Sequence, residues 1–142
     1  MKIAETDFSN QIVESVHKEL GNIFFFKHIA VIEFNEGVHI DINNTVDFFD
    51  ELISYYGHSR PFGVIANRVN SYSVKLLDAD LFRQRVIDLC YYAVVGHNIT
   101  SKINAEIENR FCDSNKINYD TIHEAMDSIY GKVKKDILLS LH

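Results

Sequence analysis

Apolar residues in the first forty positions of this 142-residue chain fall into short β-branched and aromatic runs; further along they recur at helical spacing. Residues 12–19 mix β-branched with polar positions and predict a strand, followed by a turn at Gly21-Asn22. Ile23-Phe24-Phe25-Phe26 and Ile29-Ala30-Val31-Ile32-Glu33-Phe34 are two further apolar runs, split by Lys27-His28. Such runs suit a pleated, half-buried surface better than a helix. Asn35-Glu36-Gly37 interrupts the second run, and Val38-His39-Ile40 resumes an extended path.

The period then changes. Val46, Phe49, Leu52, Ile53 and Tyr56 recur at helical spacing and predict a helix over 44–56. Asp41 or Asn43 would cap its start, and Gly57 suits the position after its end, where positive φ is common. Arg60-Pro61 restarts an extended chain, because the residue before proline avoids the helical region. Residues 62–66 read as a short strand buried on both faces, and a polar loop is expected over 67–73. Asp78 would cap a short helix bearing Leu81 and Phe82. Residues 86–95 are nearly all apolar, the pattern of a central parallel strand covered on both faces. Gly96 ends that run.

Ile99, Ile103, Ile107 and Phe111 predict a helix over 99–111 with one narrow apolar stripe. Residues 116–118 are a candidate edge strand. Thr121-Ile122-His123-Glu124 matches a capping box, and Ile122, Met126, Ile129 and Val133 would form the buried face of a last helix over 121–133. A strand-rich start followed by alternating helix and strand predicts the α/β class, with a mixed sheet and helices packed on it.

Length and composition agree with one soluble domain over 1–142, its core spanning about 11–135. Hydrophobic residues make up 46% and charged residues 24%, an ordinary profile for a globular chain. The net charge of −6 argues against nucleic acid as a partner, since phosphate binding needs a concentrated basic surface. Lys132, Lys134 and Lys135 form a short basic cluster that reads as a solvated helical turn. The start carries acids and no apolar core, unlike a secretory leader, and the longest apolar runs are too short to span a bilayer. The cytoplasm is the expected compartment, and membrane insertion is not expected.

Little catalytic chemistry is visible. The 7 histidines are scattered, with no metal-ligand spacing, so no metal is expected. No nucleophile elbow, Walker loop or dinucleotide fingerprint occurs, so no cofactor is implied. Cys90 lies in the most apolar run and reads as core, while Cys112 falls just after a helix; neither has an assignable base. No catalytic residue can be named, and the chain is not expected to be an enzyme.

The segment with the best claim to a function follows the 62–66 strand. Asn67, Arg68, Asn70, Ser71, Tyr72 and Ser73 pack hydrogen-bonding side chains into one short stretch. In open α/β sheets, ligands and partners bind beyond the carboxyl ends of strands. Alternatively, such a loop only caps its own backbone. Arg68 would either recognise a carboxylate or phosphate, or pair locally with Asp78 or Asp80.

The strand-rich start, the 44–56 helix, the 62–66 strand, the Asn-Arg-x-Asn-Ser-Tyr-Ser loop and the strand–helix repeats together resemble STAS domains. The nearest resemblance is to SpoIIAA-like proteins of Bacteroidetes-type bacteria, and it covers roughly residues 11–135. It implies a non-enzymatic regulatory or protein–protein interaction module. In anti-sigma-factor antagonists of that family a serine at the start of the helix after this strand is phosphorylated, and Ser71 and Ser73 fall near that position. The family's Asp-Ser-Ser-Gly is absent, with Asn70-Ser71-Tyr72 in its place. A protein partner is therefore expected, with a small amphiphile or anion as the alternative ligand. Self-association is left open.

Overall fold

The computed structural model describes residues 1–57, 60–78, 81, 84, 91–96 and 118–140. Two short 3₁₀ helices, Ile3–Glu5 and Asp7–Gln11, precede the first strand, and the Thr6 side chain caps the second by accepting from Phe8 N–H at 3.2 Å. Strand β1 (Glu14–His17) then pairs antiparallel with β2 (Gly21–Phe25), which pairs antiparallel with β3 (Ile29–Phe34). The turn expected at Gly21-Asn22 lies earlier, at Glu19-Leu20. Lys18 and Gly21 close it by exchanging backbone hydrogen bonds of 2.8 and 3.2 Å. Gly21 serves another purpose: a Cβ there would overlap the Glu33 carbonyl and the Phe34 backbone on the neighbouring strand. Lys27-His28 forms the second turn, as its position between two apolar runs predicts.

Strand β4 (His39–Ile40) leads into helix α1 (Val46–Tyr56). The helix starts two residues later than predicted because Asp41 caps a preceding turn instead, its Oδ1 accepting from the Asn43 and Asn44 N–H groups at 2.8 and 2.7 Å. Its buried face is Phe48, Leu52 and Tyr56, one step round from the expected stripe, and Val46 is exposed. Gly57 ends the helix at φ +80°, donating its N–H to Ile53 O at 2.8 Å. Positive φ there favours glycine.

Strand β5 (Gly63–Arg68) is buried along its whole length. It lies parallel between β3 and β7 (Tyr91–Gly96), and β8 (Asn118–Tyr119) follows parallel at the far edge. The sheet order is β1-β2-β3-β5-β7-β8, a mixed sheet of the α/β class. Strand β7 is interior, as expected for the second half of the 86–95 run. The first half, with Cys90, lies outside the described residues, as do the helix expected over 99–111, Cys112 and Phe82. Strand β6 (Ser73–Val74) pairs with β4 in a separate two-stranded parallel ladder. Asp78 is the last residue of a 3₁₀ helix, Leu76–Asp78, and its Oδ2 accepts from Ile42 N–H at 2.9 Å. Its carboxylate thus anchors the chain entering α1, a role the predicted helix cap does not include.

The last helix, α2 (Ile122–Ser140), begins where the capping motif predicts, with Thr121 Oγ1 accepting from Glu124 N–H at 3.1 Å. It extends beyond the expected end at residue 133. Each face of the sheet carries its own core. Helix α1 packs Phe48, Leu52 and Tyr56 on Ile23, Phe25, Ile32 and Val64. Helix α2 packs Ile122, Met126, Ile129 and Val133 on Val31, Ile65, Ala93 and Val95, joined by Ile3 from the N-terminal segment. Gly63 allows the close approach of α2, because a Cβ there would overlap the Ile129 side chain. Tyr91 donates its hydroxyl to Asp136 of α2; burial first, and that bond second, push its phenol up to about 12. No helix among the described residues is long and apolar enough to cross a membrane.

Candidate functional site

Strands β3 and β5 run parallel and end side by side at Phe34 and Arg68, so the segments that follow them meet at one end of the sheet. Asn67 and Arg68 do not belong to the loop, as the polar run suggested, but complete β5. Both are nearly inaccessible, at 1% and 3% exposure. Each is buried with its polar group hydrogen-bonded, which is the condition for burying one cheaply, by distant partners for Asn67 and by nearby Tyr72 for Arg68.

Asn67 points to the α2 face. Its Nδ2 donates to Glu33 Oε2 at 2.7 Å and to Met1 O at 3.0 Å, and the same carboxylate oxygen accepts from Ile3 N–H at 2.7 Å. This buried network clamps the N-terminal segment over β3 and β5. Arg68 points to the other face. Its guanidinium lies 4.4 Å from the Tyr72 ring centre, and Nε donates to the Tyr72 hydroxyl at 2.9 Å. The Tyr72 ring in turn meets Phe34 edge-on, with centroids 5.1 Å apart, and Phe34 packs on Phe48 of α1. Tyr72 is one partner of Arg68; of the acids expected as local partners, Asp78 accepts from Ile42 N–H and Asp80 lies outside the described residues.

The loop proper folds back on residues 35–40. Asn70 Nδ2 donates to Phe34 O at 3.0 Å, and Ser71 N–H donates to Glu36 Oε2 at 2.7 Å. Gly37 N–H donates to Ser71 O at 2.7 Å, with Gly37 at φ +78°. Ser73 N–H then donates to Val38 O at 3.0 Å, which begins the β4–β6 ladder. The backbone is therefore held at short intervals, while Ser71, Ser73, Glu36 and His39 stay exposed. The loop presents a polar platform.

Sequence reading missed one pair on that platform. His39 Nδ1 and Ser73 Oγ are 2.7 Å apart, across the β4–β6 ladder. The two residues are 34 positions apart, and only the ladder register brings them together. Among the described residues no carboxylate orients His39, so the pair lacks the third member of a nucleophile–base arrangement. No group of three metal-ligating side chains occurs among the described residues.

A cavity of about 230 Å³ opens at the opposite end of the sheet, between the Lys27-His28 turn, the second 3₁₀ helix and α2. Phe8, Phe26, Ile29 and Met126 give it apolar walls, with Lys27, His28 and Asp127 at polar positions. His28 Nδ1 is buried without a hydrogen-bond partner among the described residues. Burial, then the nearby charges of Arg60 and Lys27, hold its imidazole below the usual histidine range. Comparison with protein-family models, curated proteins and solved structures finds no match to the chain.

Proposed function

We propose that the chain is a non-enzymatic, cytoplasmic interaction module of STAS-like type, whose contact surface is the platform of Ser71, Ser73, His39 and Glu36. One observation carries this reading: an exposed serine loop whose backbone is fixed by hydrogen bonds at Ser71 and Ser73. A surface ordered in advance loses less entropy when a partner docks, so polar contacts there convert more fully into affinity. The element order, a strand hairpin followed by parallel strands with intervening helix, supports the STAS-like assignment. Arg68 and Asn67 support the platform from beneath and are not part of the contact surface. A phosphoryl group on Ser71 would stand beside the Glu36 carboxylate and repel it, so modification there would loosen the loop.

The test compares affinity capture from the native cell by the unchanged chain and by Ser71→Arg, which adds bulk and charge at the centre of the platform. A specific protein retained by the first and lost by the second, with equal melting temperatures, is the expected result. Identical retention by both overturns the assignment of this surface.

A second reading rests on the cavity at the Lys27-His28 turn, whose apolar walls, with His28 Nδ1 unbonded among the described residues, suit a small amphiphile with its polar head at His28. Medium-chain fatty acids should then raise the melting temperature of the unchanged chain, and Met126→Trp, which fills the cavity, should abolish that rise. No rise with any chain length removes this reading.

A further inference from the structure

We propose that β1 is a self-association edge, through which two copies of this chain pair antiparallel and join their sheets. Strand β1 is the outermost strand of the sheet among the described residues, and Val13, Glu14, Ser15 and His17 are exposed. In an antiparallel ladder successive residues direct their backbone groups alternately to the two sides. Lys18 and Gly21 exchange both bonds, so Lys18 and Val16 face β2 while the N–H and C=O of Ser15 and His17 face outward. At the other end Val13 N–H bonds Phe25 O, although Glu14 is the residue in register with Phe25. That bulge turns Val13 back towards β2 and confines the free edge to Ser15–His17.

Two identical edges pair about a two-fold axis normal to the sheet, so each residue must oppose one from the same face. Val16 lies on the α1 face, against the core there, and Glu14 shares that face because it is opposite Phe25. Lys18 shares it too, since its Nζ reaches Glu51 of α1 at 3.0 Å. Placing the axis at Val16 brings Val16 against its own copy and Ser15 against His17 of the second copy. The outward backbone groups of Ser15 and His17 then bond each other, twice by symmetry. The same register sets Glu14 opposite Lys18 of the second copy, so each end of the pairing closes on opposite charges. A shift by two residues either way puts Ser15 or His17 against itself and loses the Glu14–Lys18 match. This charge complementarity selects a second copy as the occupant, because the strand is complementary to itself in one register.

The purified full chain tests this without knowledge of any ligand. Sedimentation velocity should show a monomer–dimer equilibrium, and the Ser15 and His17 amides should exchange with solvent more slowly in concentrated than in dilute protein. Val16→Cys should form a disulfide-linked dimer through the introduced thiols, identified by peptide mass spectrometry, since directly opposed non-hydrogen-bonded residues approach within bridging reach. Ser15→Cys, facing His17, should not. His17→Pro removes an outward N–H that bonds none of the described residues of one copy and should leave a folded monomer. A chain that stays monomeric at all concentrations overturns the proposal, as does a dimer in which Val16→Cys fails to cross-link.

Discussion

Asn67 Nδ2 stands 2.7 Å from Glu33 Oε2, joining neighbouring residues of two parallel strands on the face that α2 and the N-terminal segment cover. The carboxylate is buried, and its other donor on that oxygen is the Ile3 N–H. Asn67→Ala removes one of two donors from a buried charge and leaves Met1 O without this bond. Losing a hydrogen bond to a charged group costs about 1.5–3 kcal/mol. Urea unfolding should show a loss of that order, with capture by the Ser71 platform unchanged. A variant as stable as the parent would mean that water replaces the amide at no cost.

Arg68→Ala should behave as a structural change. It removes a guanidinium stacked on the Tyr72 ring, which packs edge-on against Phe34. A loss of about 1–3 kcal/mol is expected, within the range for breaking a buried polar contact. Arg68→Lys should recover little, because an ammonium does not stack as a planar group does. Intact stability with lost partner capture would instead place Arg68 in the contact surface.

His28 gives the fold an acid sensitivity with a definite sign. Its folded imidazole titrates below the usual range, so near pH 6 the unfolded chain binds more protons than the folded one. Stability therefore falls as pH drops through about 6.5, the ordinary histidine value, and levels off below the folded value. His28→Gln cannot titrate, and its chemical-denaturation midpoint should change less between pH 7 and pH 5 than that of the parent. Parallel pH profiles for the two proteins would assign the acid sensitivity to other groups.

Gly63 is the point of closest approach between β5 and α2. Gly63→Ala places a methyl group where the Ile129 side chain lies. Overpacking of this kind costs about 1–3 kcal/mol. Thermal unfolding should show the loss, and the loss should be smaller in an Ile129→Ala background, where the Cγ2 methyl that the new group would meet is gone. A loss that is the same in both backgrounds would mean that the methyl group strains something other than Ile129.

Elements bounded by breaks in apolar character were legible in the chain. Ile29–Phe34 matches its strand end to end because Lys27-His28 and Asn35-Glu36-Gly37 flank an unbroken run. The face of α2 was legible because Ile122, Met126, Ile129 and Val133 keep one helical stripe. The α1 stripe was misplaced because Val46 and Phe48 both fit a helical period, and only packing on Ile23 and Phe25 selects Phe48. Asn67 and Arg68 looked like loop because a single chain shows their polarity but not the partners that allow burial. Glu33 is 34 positions before Asn67, and the N-terminal residues that complete its network are farther still. The platform shows the same limit: Ser71 and Ser73 were evident as candidates, whereas His39 joins them only through the β4–β6 register.

The two faces of the sheet differ in how far apart along the chain their parts lie, and this bears on the order of events during synthesis. The α1 face is assembled from residues between Val16 and Val64, with Tyr92 at its margin. Its pieces leave the ribosome almost together. The opposite face needs Ile3 and Phe8 from one end of the described sequence and residues 122–137 from the other. Such long-range closure is slow and comes late. A nascent chain that has reached Asp120 already carries Val31, Ile65, Ala93 and Val95, but not the helix that will cover them. During that interval the half-built sheet presents an apolar face to water, and it is there that a chaperone would bind or a stalled chain would aggregate.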